Sequence, residues 1–233
     1  MKVVIDGENA QDAGGLTKEW VWELFSEMSE PNHHEEEDED QASHVPLMEP
    51  LNSGVEMRYG LCSGKNFVLY KFLGRVIGKA LRDEIPIFTK LNRFLLKCLA
   101  GEPFELSDLE TYDRQTHNSM DFIMNTDNSE QMCLTFTVVD GDTVNLIPKG
   151  DSTEVNDSNK ASYLELLLNY YGYLKHKAAI DKLMEGFYEV IPKTCMSEIT
   201  TMDLEWIMFG MDTIGVDDWK SNTTVNNESG CST

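Results

Sequence analysis

FLGRVIGKAL, residues 72–81, is the most strongly patterned stretch of this 233-residue sequence. Its apolar positions continue a stripe that starts at Phe67, and their spacing predicts one amphipathic helix with a broad buried face. Gly74 and Gly78 lie one turn apart within that helix, although a glycine costs roughly 1 kcal/mol in a helix interior. Two glycines at this spacing predict that a second backbone approaches the helix closely.

Helical patterns dominate the sequence on both sides of this stretch. Gly101 suits the left-handed position that follows a helix. Thr200 and Asp203 form the capping-box pattern of a helix that should end at Gly210. The predicted helices cover residues 20–28, 67–81, 89–100, 159–174, 177–191 and 200–210, and short helical pieces are predicted between residues 104 and 124.

One β-hairpin interrupts the helices. Residues 133–139 alternate β-branched and aromatic side chains, Asp140 and Gly141 form a hairpin turn signal, and residues 144–147 return as the second strand. Helices outnumber strands and do not alternate with them. The sequence therefore predicts an α+β, mostly helical fold rather than a doubly wound sheet.

The charge balance restricts the partners of this protein. The net charge is −22, and such a surface repels nucleic acid and anionic membranes but suits a basic protein partner. No apolar run reaches the length that spans a membrane. Residues 32–45 contain six consecutive acids and are predicted to be a solvated acidic loop, and residues 220–233 a polar tail. His33 and its neighbours lie in a run too flexible to fix a metal geometry.

The cysteines predict a reduced, intracellular protein. Cys62, Cys98, Cys133, Cys195 and Cys231 are odd in number and form no CxxC pair, so neither a disulfide framework nor a zinc module is indicated. We expect a cytoplasmic location, with the nucleus as a second compartment. Cys62, Cys98 and Cys133 are interpreted as core thiols. Cys195 is interpreted as an ordinary loop or half-buried cysteine, with a catalytic nucleophile as the less favoured alternative.

Several phrases together resemble one protein family. They occur in order over about residues 3–223, and the sequence is similar to the N-terminal lobe (N-lobe) of HECT-type ubiquitin-protein ligases. FLGRVIGKAL is very close to the family's FIGRVIGKAL. The other phrases are DAGGLTKEW (12–20), LSDL (106–109), NK (159–160), GF with IP (186–187 and 191–192) and DLE to DDW (203–205 to 217–219).

The resemblance implies a domain organisation. It predicts a partial HECT N-lobe over residues 1–219, with a large helical subdomain formed by residues 1–110 and 179–219. A small subdomain, residues 111–178, is inserted in it, contains the hairpin and binds the ubiquitin-conjugating enzyme. The family's thioester cysteine lies in a C-terminal lobe (C-lobe) that nothing in this sequence resembles. This chain alone is therefore expected to be inactive.

The resemblance also implies a function. HECT ligases accept ubiquitin from a conjugating enzyme onto a cysteine and pass it to substrate lysines, which replaces one difficult acyl transfer by two easier ones. The expected partners are the conjugating enzyme, ubiquitin as a thioester, and protein substrates bound through other regions; no cofactor or metal is expected. By position in the family motif, the shallow groove for the conjugating enzyme involves Met120, Ile123, Met124, Met132, Leu134 and Tyr163.

Each of these interpretations has an alternative. Apolar residues at helical spacing, such as Met120 and Ile123, are equally typical of a buried core and of a binding groove. The chain could be a non-catalytic docking module that binds the conjugating enzyme without transferring ubiquitin, or a helical scaffold that only kept the fold. Arg75 and Lys79 are interpreted as solvent-reaching side chains or as ion-pair partners of acids such as Glu19.

Overall fold

The computed structural model describes residues 15–29, 46–52, 54, 56–62, 67–210 and 216–223. Within these ranges the protein is mostly helical with two antiparallel β-hairpins, which confirms the predicted α+β, mostly helical class. The helices are α1 (Gly15–Ser29), α2 (Phe67–Arg82), α3 (Arg93–Ala100), α4 (Leu106–Tyr112), α5 (Arg114–Asn125), α6 (Lys160–Gly172), α7 (Lys177–Val190), α8 (Lys193–Met196), α9 (Thr201–Phe209) and α10 (Val216–Ser221). The strands are β1 (Met48–Asn52), β2 (Met57–Leu61), β3 (Thr137–Asp140) and β4 (Asp142–Asn145).

Helices α2 and α7 cross through glycines on both sides. A Cβ placed on Gly74 would lie 1.9 Å from the carbonyl oxygen of Leu183, and one on Gly186 would lie 1.9 Å from that of Lys71. At Gly78 the nearest atom would be 3.0 Å away. The predicted approach of a second backbone is therefore confirmed, and α7 provides that backbone.

Local capping interactions define the helix ends, and those at Gly101 and Thr200 were predicted. The Asn92 side chain accepts a hydrogen bond from Leu95 N–H at 2.8 Å, and Gly101 ends α3 in the left-handed conformation with φ of 76°. Thr200 and Asp203 form the predicted capping box at α9. Asp113 both ends α4 and caps α5 by accepting from Thr116 N–H, so the two short helices share one polar junction.

The predicted hairpin is present but shorter than expected. Residues 133–136 lie outside β3, because a 3₁₀ turn over Ser129–Met132 runs into Cys133, which has a φ of 51°. Gly141 makes the turn with a φ of 72°, and Val138 pairs with Val144. The hairpin of β1 and β2 was not predicted, since Pro50 and a glycine interrupt its strand pattern.

The buried side chains form two hydrophobic clusters. The first joins α1, α2, α7, α9 and the β1–β2 hairpin, and Phe25, Tyr70, Ile77 and Phe187 are among its fully buried members. The second joins α4, α5, α6 and the β3–β4 hairpin. Helix α3 contributes to both. The predicted subdomain bounds, 1–110 with 179–219 and 111–178, stay a prediction.

One sequence interpretation was wrong: Cys133 is exposed rather than a core thiol, because the 3₁₀ turn directs it outward. The interpretation of Arg75 and Lys79 as ion-pair partners of acids is confirmed. The acids are Glu189, at 2.6 Å from Arg75, and Asp83 rather than Glu19. The predicted acidic loop at 32–45 and the tail beyond residue 223 lie outside the described residues.

Among the described helices, none is long and apolar enough to cross a membrane.

Alanine substitution should reveal how closely α2 and α7 approach each other. Gly186→Ala forces a methyl group against a backbone oxygen, so we expect a loss of ~1–3 kcal/mol or more in the free energy of unfolding. Gly78→Ala should lower the free energy of unfolding by less, because the atoms near the added methyl group include side-chain atoms, which can move aside. Gly15→Ala, with no atom within 4 Å, is the control and should lose nothing. Chemical denaturation measures the series, and equal losses at Gly15 and Gly186 would contradict the packing.

Candidate functional site

An open hollow of about 530 Å³ lies in the part of the molecule built around the second cluster. Its walls are the N-terminal half of α5, the strand β3 with the segment before it, and the face of α6 that carries Tyr163, Leu167 and Tyr171. It is lined by Asp113, Gln115, Thr116, Ser119, Met120, Cys133, Leu134, Thr135, Thr137, Val138, Val139, Tyr163, Leu167 and Tyr171.

The floor of the hollow is apolar and rigid. Met120, Val138, Tyr163 and Leu167 are at most 7% exposed, and the Tyr163 ring meets Phe136 edge to face with 5.5 Å between centroids. The Tyr163 hydroxyl donates to the Thr137 carbonyl oxygen at 3.3 Å, which ties α6 to the hairpin. Burial raises the pKa of Tyr163, so its hydroxyl stays a hydrogen-bond donor at neutral pH.

The rim of the hollow is polar and mostly uncharged. Hydroxyls of Thr116, Ser119, Thr135 and Thr137 surround it, and Asp113 is the one charged residue of its lining. The Asp113 carboxylate is engaged as a helix cap, accepting from Thr116 N–H at 3.0 Å and from its hydroxyl at 2.6 Å. A partner loop entering this hollow therefore meets apolar surface below and hydrogen-bonding groups around the edge.

The six predicted groove residues divide into two sets. Met120, Leu134 and Tyr163 line the hollow. Ile123 is 5% exposed and packs below it in the second cluster. Met124 and Met132 are half-buried and lie outside the lining.

Sequence reasoning missed most of the rim. Thr135, Thr137 and Val139 come from the hairpin and its approach, and Ser119 follows one turn after Gln115 on the same face of α5. A signal existed for the strand residues, since alternation along β3 places Thr137 and Val139 on one side. Polar and small residues, however, do not stand out as partner contacts until the neighbouring elements are in place.

Asp140 fastens the tip of the hairpin to the rest of the second cluster. Its carboxylate accepts from the Tyr170 hydroxyl at 2.8 Å and from Lys175 Nζ at 3.0 Å. Burial alone would raise the pKa of Asp140, but the hydrogen bonds from Lys175 and Tyr170 outweigh it and lower the pKa. The carboxylate is therefore ionised at neutral pH and holds β3 against α6.

Asp157 fastens the loop that precedes the hairpin. Its carboxylate accepts from the Ser129 hydroxyl at 2.7 Å, from Ser129 N–H at 3.1 Å and from Asn128 N–H at 2.7 Å. The hydroxyl and the two backbone groups hold the pKa of Asp157 well below its usual range. This clamp sets the 3₁₀ turn that leads into Cys133, and with it one edge of the hollow.

The described cysteines are free thiols and do not form a metal centre. Cys133 and Cys195 are exposed, the latter within the short helix α8. Burial raises the pKa of the Cys62 thiol to about 11 and that of Cys98 to about 12, so both stay protonated at neutral pH. No group of three His, Cys, Asp or Glu side chains within the described ranges could hold a metal ion.

Comparison with known proteins identifies the family. The sequence profile of the HECT domain, described as a ubiquitin-transferase domain, matches residues 17–232. The chain belongs to the HECT-domain family. The resemblance drawn from FLGRVIGKAL and its companion phrases is thereby confirmed.

The relatives of this HECT chain are much longer proteins. It is 30% identical to the E3 ubiquitin-protein ligase TOM1 of Saccharomyces cerevisiae over 97% of the chain, and 30% identical to the E3 ubiquitin-protein ligase HUWE1 of Mus musculus over 95%. It is 28% identical to the E3 ubiquitin-protein ligase Nedd-4 of Drosophila melanogaster over 95%. The chain spans 7%, 5% and 22% of these three proteins, respectively.

Removing the Asp157 carboxylate should loosen one edge of the hollow. In Asp157→Ala the Ser129 hydroxyl and the Asn128 and Ser129 amides lose their common acceptor, so we expect roughly tenfold faster hydrogen exchange at Ser129. Asp127→Ala removes a neighbouring exposed carboxylate that accepts none of these bonds and serves as the control. Equal exchange rates in the two variants would contradict the clamp.

Proposed function

We propose that this chain is a docking lobe for a ubiquitin-conjugating enzyme, and that the hollow between α5, β3 and α6 receives the conjugating enzyme's loops. The observation that carries the proposal is an open, apolar-floored hollow in a chain of the HECT-domain family. The contacts we assign to it are Met120, Leu134 and Tyr163, with Thr135, Thr137 and Val139 added from the geometry. Ile123 and Met132 belong to the second cluster, which supports the hollow, and Met124 is not among the contacts we assign.

The chemistry of the hollow suits a loop that presents one large apolar side chain. Met120 has a flexible thioether that can repack around such a group, and the edge-to-face contact of Tyr163 keeps its ring in place. Val139, 75% exposed on the hairpin, adds apolar surface beside the opening. Rim hydroxyls can satisfy the partner's backbone groups without requiring a particular charge.

A shallow hollow of this size supports a weak and transient complex. Interfaces that bury little surface fall at the low-affinity end of specific protein complexes. Weak binding also serves the reaction, because a conjugating enzyme that has delivered its ubiquitin must leave before a charged one can bind.

The transfer reaction belongs to the longer ligase of which we propose this chain is part. There, ubiquitin would pass from the conjugating enzyme's thioester to a cysteine of a C-lobe and then to a substrate lysine, with the sulfur acting first as nucleophile and then as leaving group. The docking lobe would hold the conjugating enzyme at the correct distance, and regions outside this chain would bind protein substrates.

A charge introduced at the hairpin should weaken binding of an uncharged conjugating enzyme. Val139→Asp places a carboxylate at the opening of the hollow, where partner contact would desolvate it, so we expect at least ~10-fold weaker affinity. Val68→Asp on α2 is the matched control, because Val68 is 77% exposed against 75% for Val139. Isothermal titration or surface plasmon resonance measures both, and both variants should keep the melting temperature of the parent chain.

Tyr163→Ala is a poorer test, since that ring is part of the second cluster and its removal disturbs folding. Equal affinities of Val139→Asp, Val68→Asp and the parent chain across a panel of conjugating enzymes would contradict docking through the hollow.

A thioester assay separates docking from transfer. In a mixture of activating enzyme, charged conjugating enzyme and this chain, we expect no ubiquitin thioester on this chain, that is, no adduct of the chain that a thiol reductant removes. Cys62 and Cys98 stay protonated because burial raises their pKa, and the resemblance places the family's thioester cysteine in another lobe. A reductant-sensitive adduct that disappears in Cys195→Ser or Cys133→Ser would overturn this expectation.

A further inference from the structure

A continuous chain of ion pairs runs from α4, in the second cluster, to elements of the first cluster. Lys97 Nζ lies 2.8 Å from Asp108 Oδ2, and Arg93 Nε lies 3.2 Å from Asp108 Oδ1. Arg93 Nη1 is also 3.2 Å from Glu205 Oε2, whose Oε1 lies 2.7 Å from Arg58 Nη1. The chain of charges therefore connects α4, α3, α9 and β2 in sequence.

The pair at the end of this chain is almost completely buried. The Asp108 side chain is 0% exposed and the Lys97 side chain 4%, and Asp108 Oδ2 also accepts from Glu105 N–H at 2.7 Å. In a buried ion pair the cost of removing both charges from water offsets most of their attraction, so the pair adds little net stability. The pair still requires one geometry, because moving the two side chains apart would leave Asp108 Oδ2 and Lys97 Nζ, both buried, without their shortest ionic contact.

The position of the pair matters more than its energy. Lys97 lies on α3, whose Phe94 belongs to the second cluster and whose Leu95 belongs to the first. Asp108 immediately precedes Leu109, a fully buried member of the second cluster. The pair therefore fixes α4, which begins the second cluster, against the helix that both clusters share.

A displacement of α4 would reach the hollow directly. Asp113 is the single residue between α4 and α5, the C-cap of the first and the N-cap of the second, so α5 has no flexible linker that could absorb a rotation of α4. Thr116 and Met120 on α5 form one wall of the hollow.

We propose that Lys97 and Asp108 are positioning residues that hold the docking hollow at one angle to the large first cluster. This inference rests on the proposed docking function, because the angle matters only if the hollow presents a conjugating enzyme to the rest of the ligase. The pair determines the orientation of the hollow, whereas the residues that line the hollow determine its affinity for the conjugating enzyme.

The two exposed thiols make this orientation measurable. Cys133 lies at the hollow and Cys195 lies on α8 beside the first cluster, and both are exposed. Buried Cys62 and largely buried Cys98 have raised pKa values and react slowly with thiol reagents. With Cys231→Ser as background, nitroxide labels on Cys133 and Cys195 report the distance between the two parts of the molecule by pulsed electron paramagnetic resonance.

The informative variant replaces the pair by apolar side chains. Lys97→Met with Asp108→Leu removes both charges together and leaves Arg93 paired with Glu205. Because Asp108→Leu also removes the acceptor of Glu105 N–H, we expect a lower melting temperature in a variant that still folds. We expect the distribution of label distances to become roughly twofold broader, because apolar contacts define the angle less sharply. An unchanged distribution in the folded variant would overturn the inference.

If the double variant does not fold, two single variants test the same inference. Asp108→Asn keeps the shape and one hydrogen-bond acceptor but removes the charge, and Ile180→Val, within the first cluster, lowers stability without touching the ion pairs. Asp108→Asn should broaden the distance distribution more than Ile180→Val does. Equal widths in these two variants would also overturn the inference.

Measuring the affinity for a conjugating enzyme distinguishes a failure of the positioning role from a failure of the docking proposal. The folded variants should bind an uncharged conjugating enzyme within about twofold of the parent chain, since the lining of the hollow is intact. If the parent chain binds no conjugating enzyme, the docking proposal fails whatever the distances are. If binding is present and the distances do not broaden, only the positioning role fails.

Discussion

The structure depends on the contact between two glycines and two carbonyl oxygens where α2 crosses α7. With Gly74 facing Leu183 and Gly186 facing Lys71, the helix backbones touch without intervening side chains. This contact joins segments about a hundred residues apart in the sequence. The chain between them stays in the first cluster as far as α3, which contributes to both clusters, and then forms the second cluster before it returns at α7. This intervening segment contains the hollow, so a side chain at either glycine would separate the helices and displace both ends of the segment.

Local chemistry made the helices and the β3–β4 hairpin predictable. The α2 stripe, Gly101, and the capping box at Thr200 are signals that lie within a few residues of the element they define. The β1–β2 hairpin was missed, because its strands carry a proline and a glycine and its stability comes from packing against distant parts of the chain. The partner of Arg75 was missed for the same reason, since Glu189 approaches only after α2 and α7 have packed.

The candidate site was predictable in part. Resemblance to the HECT family supplied six positions, and three of them, Met120, Leu134 and Tyr163, line the hollow. Ile123 shares its helix with Met120, but α5 turns it into the cluster below. Such a difference depends on how α5 packs against the hairpin, which the spacing of apolar residues does not encode. The ion pairs from Asp108 to Arg58 were not predicted either, because they join residues remote in sequence.

The central claim is that a ubiquitin-conjugating enzyme contacts the hollow and not another surface. Methyl NMR of the methionines tests it most directly, because these residues occur in the hollow and throughout both clusters. Titration with an uncharged conjugating enzyme should shift or broaden the ε-methyl signal of Met120 and leave those of Met28 and Met208, in the first cluster, unchanged. Shifts at Met208 with an unperturbed Met120 would contradict the account.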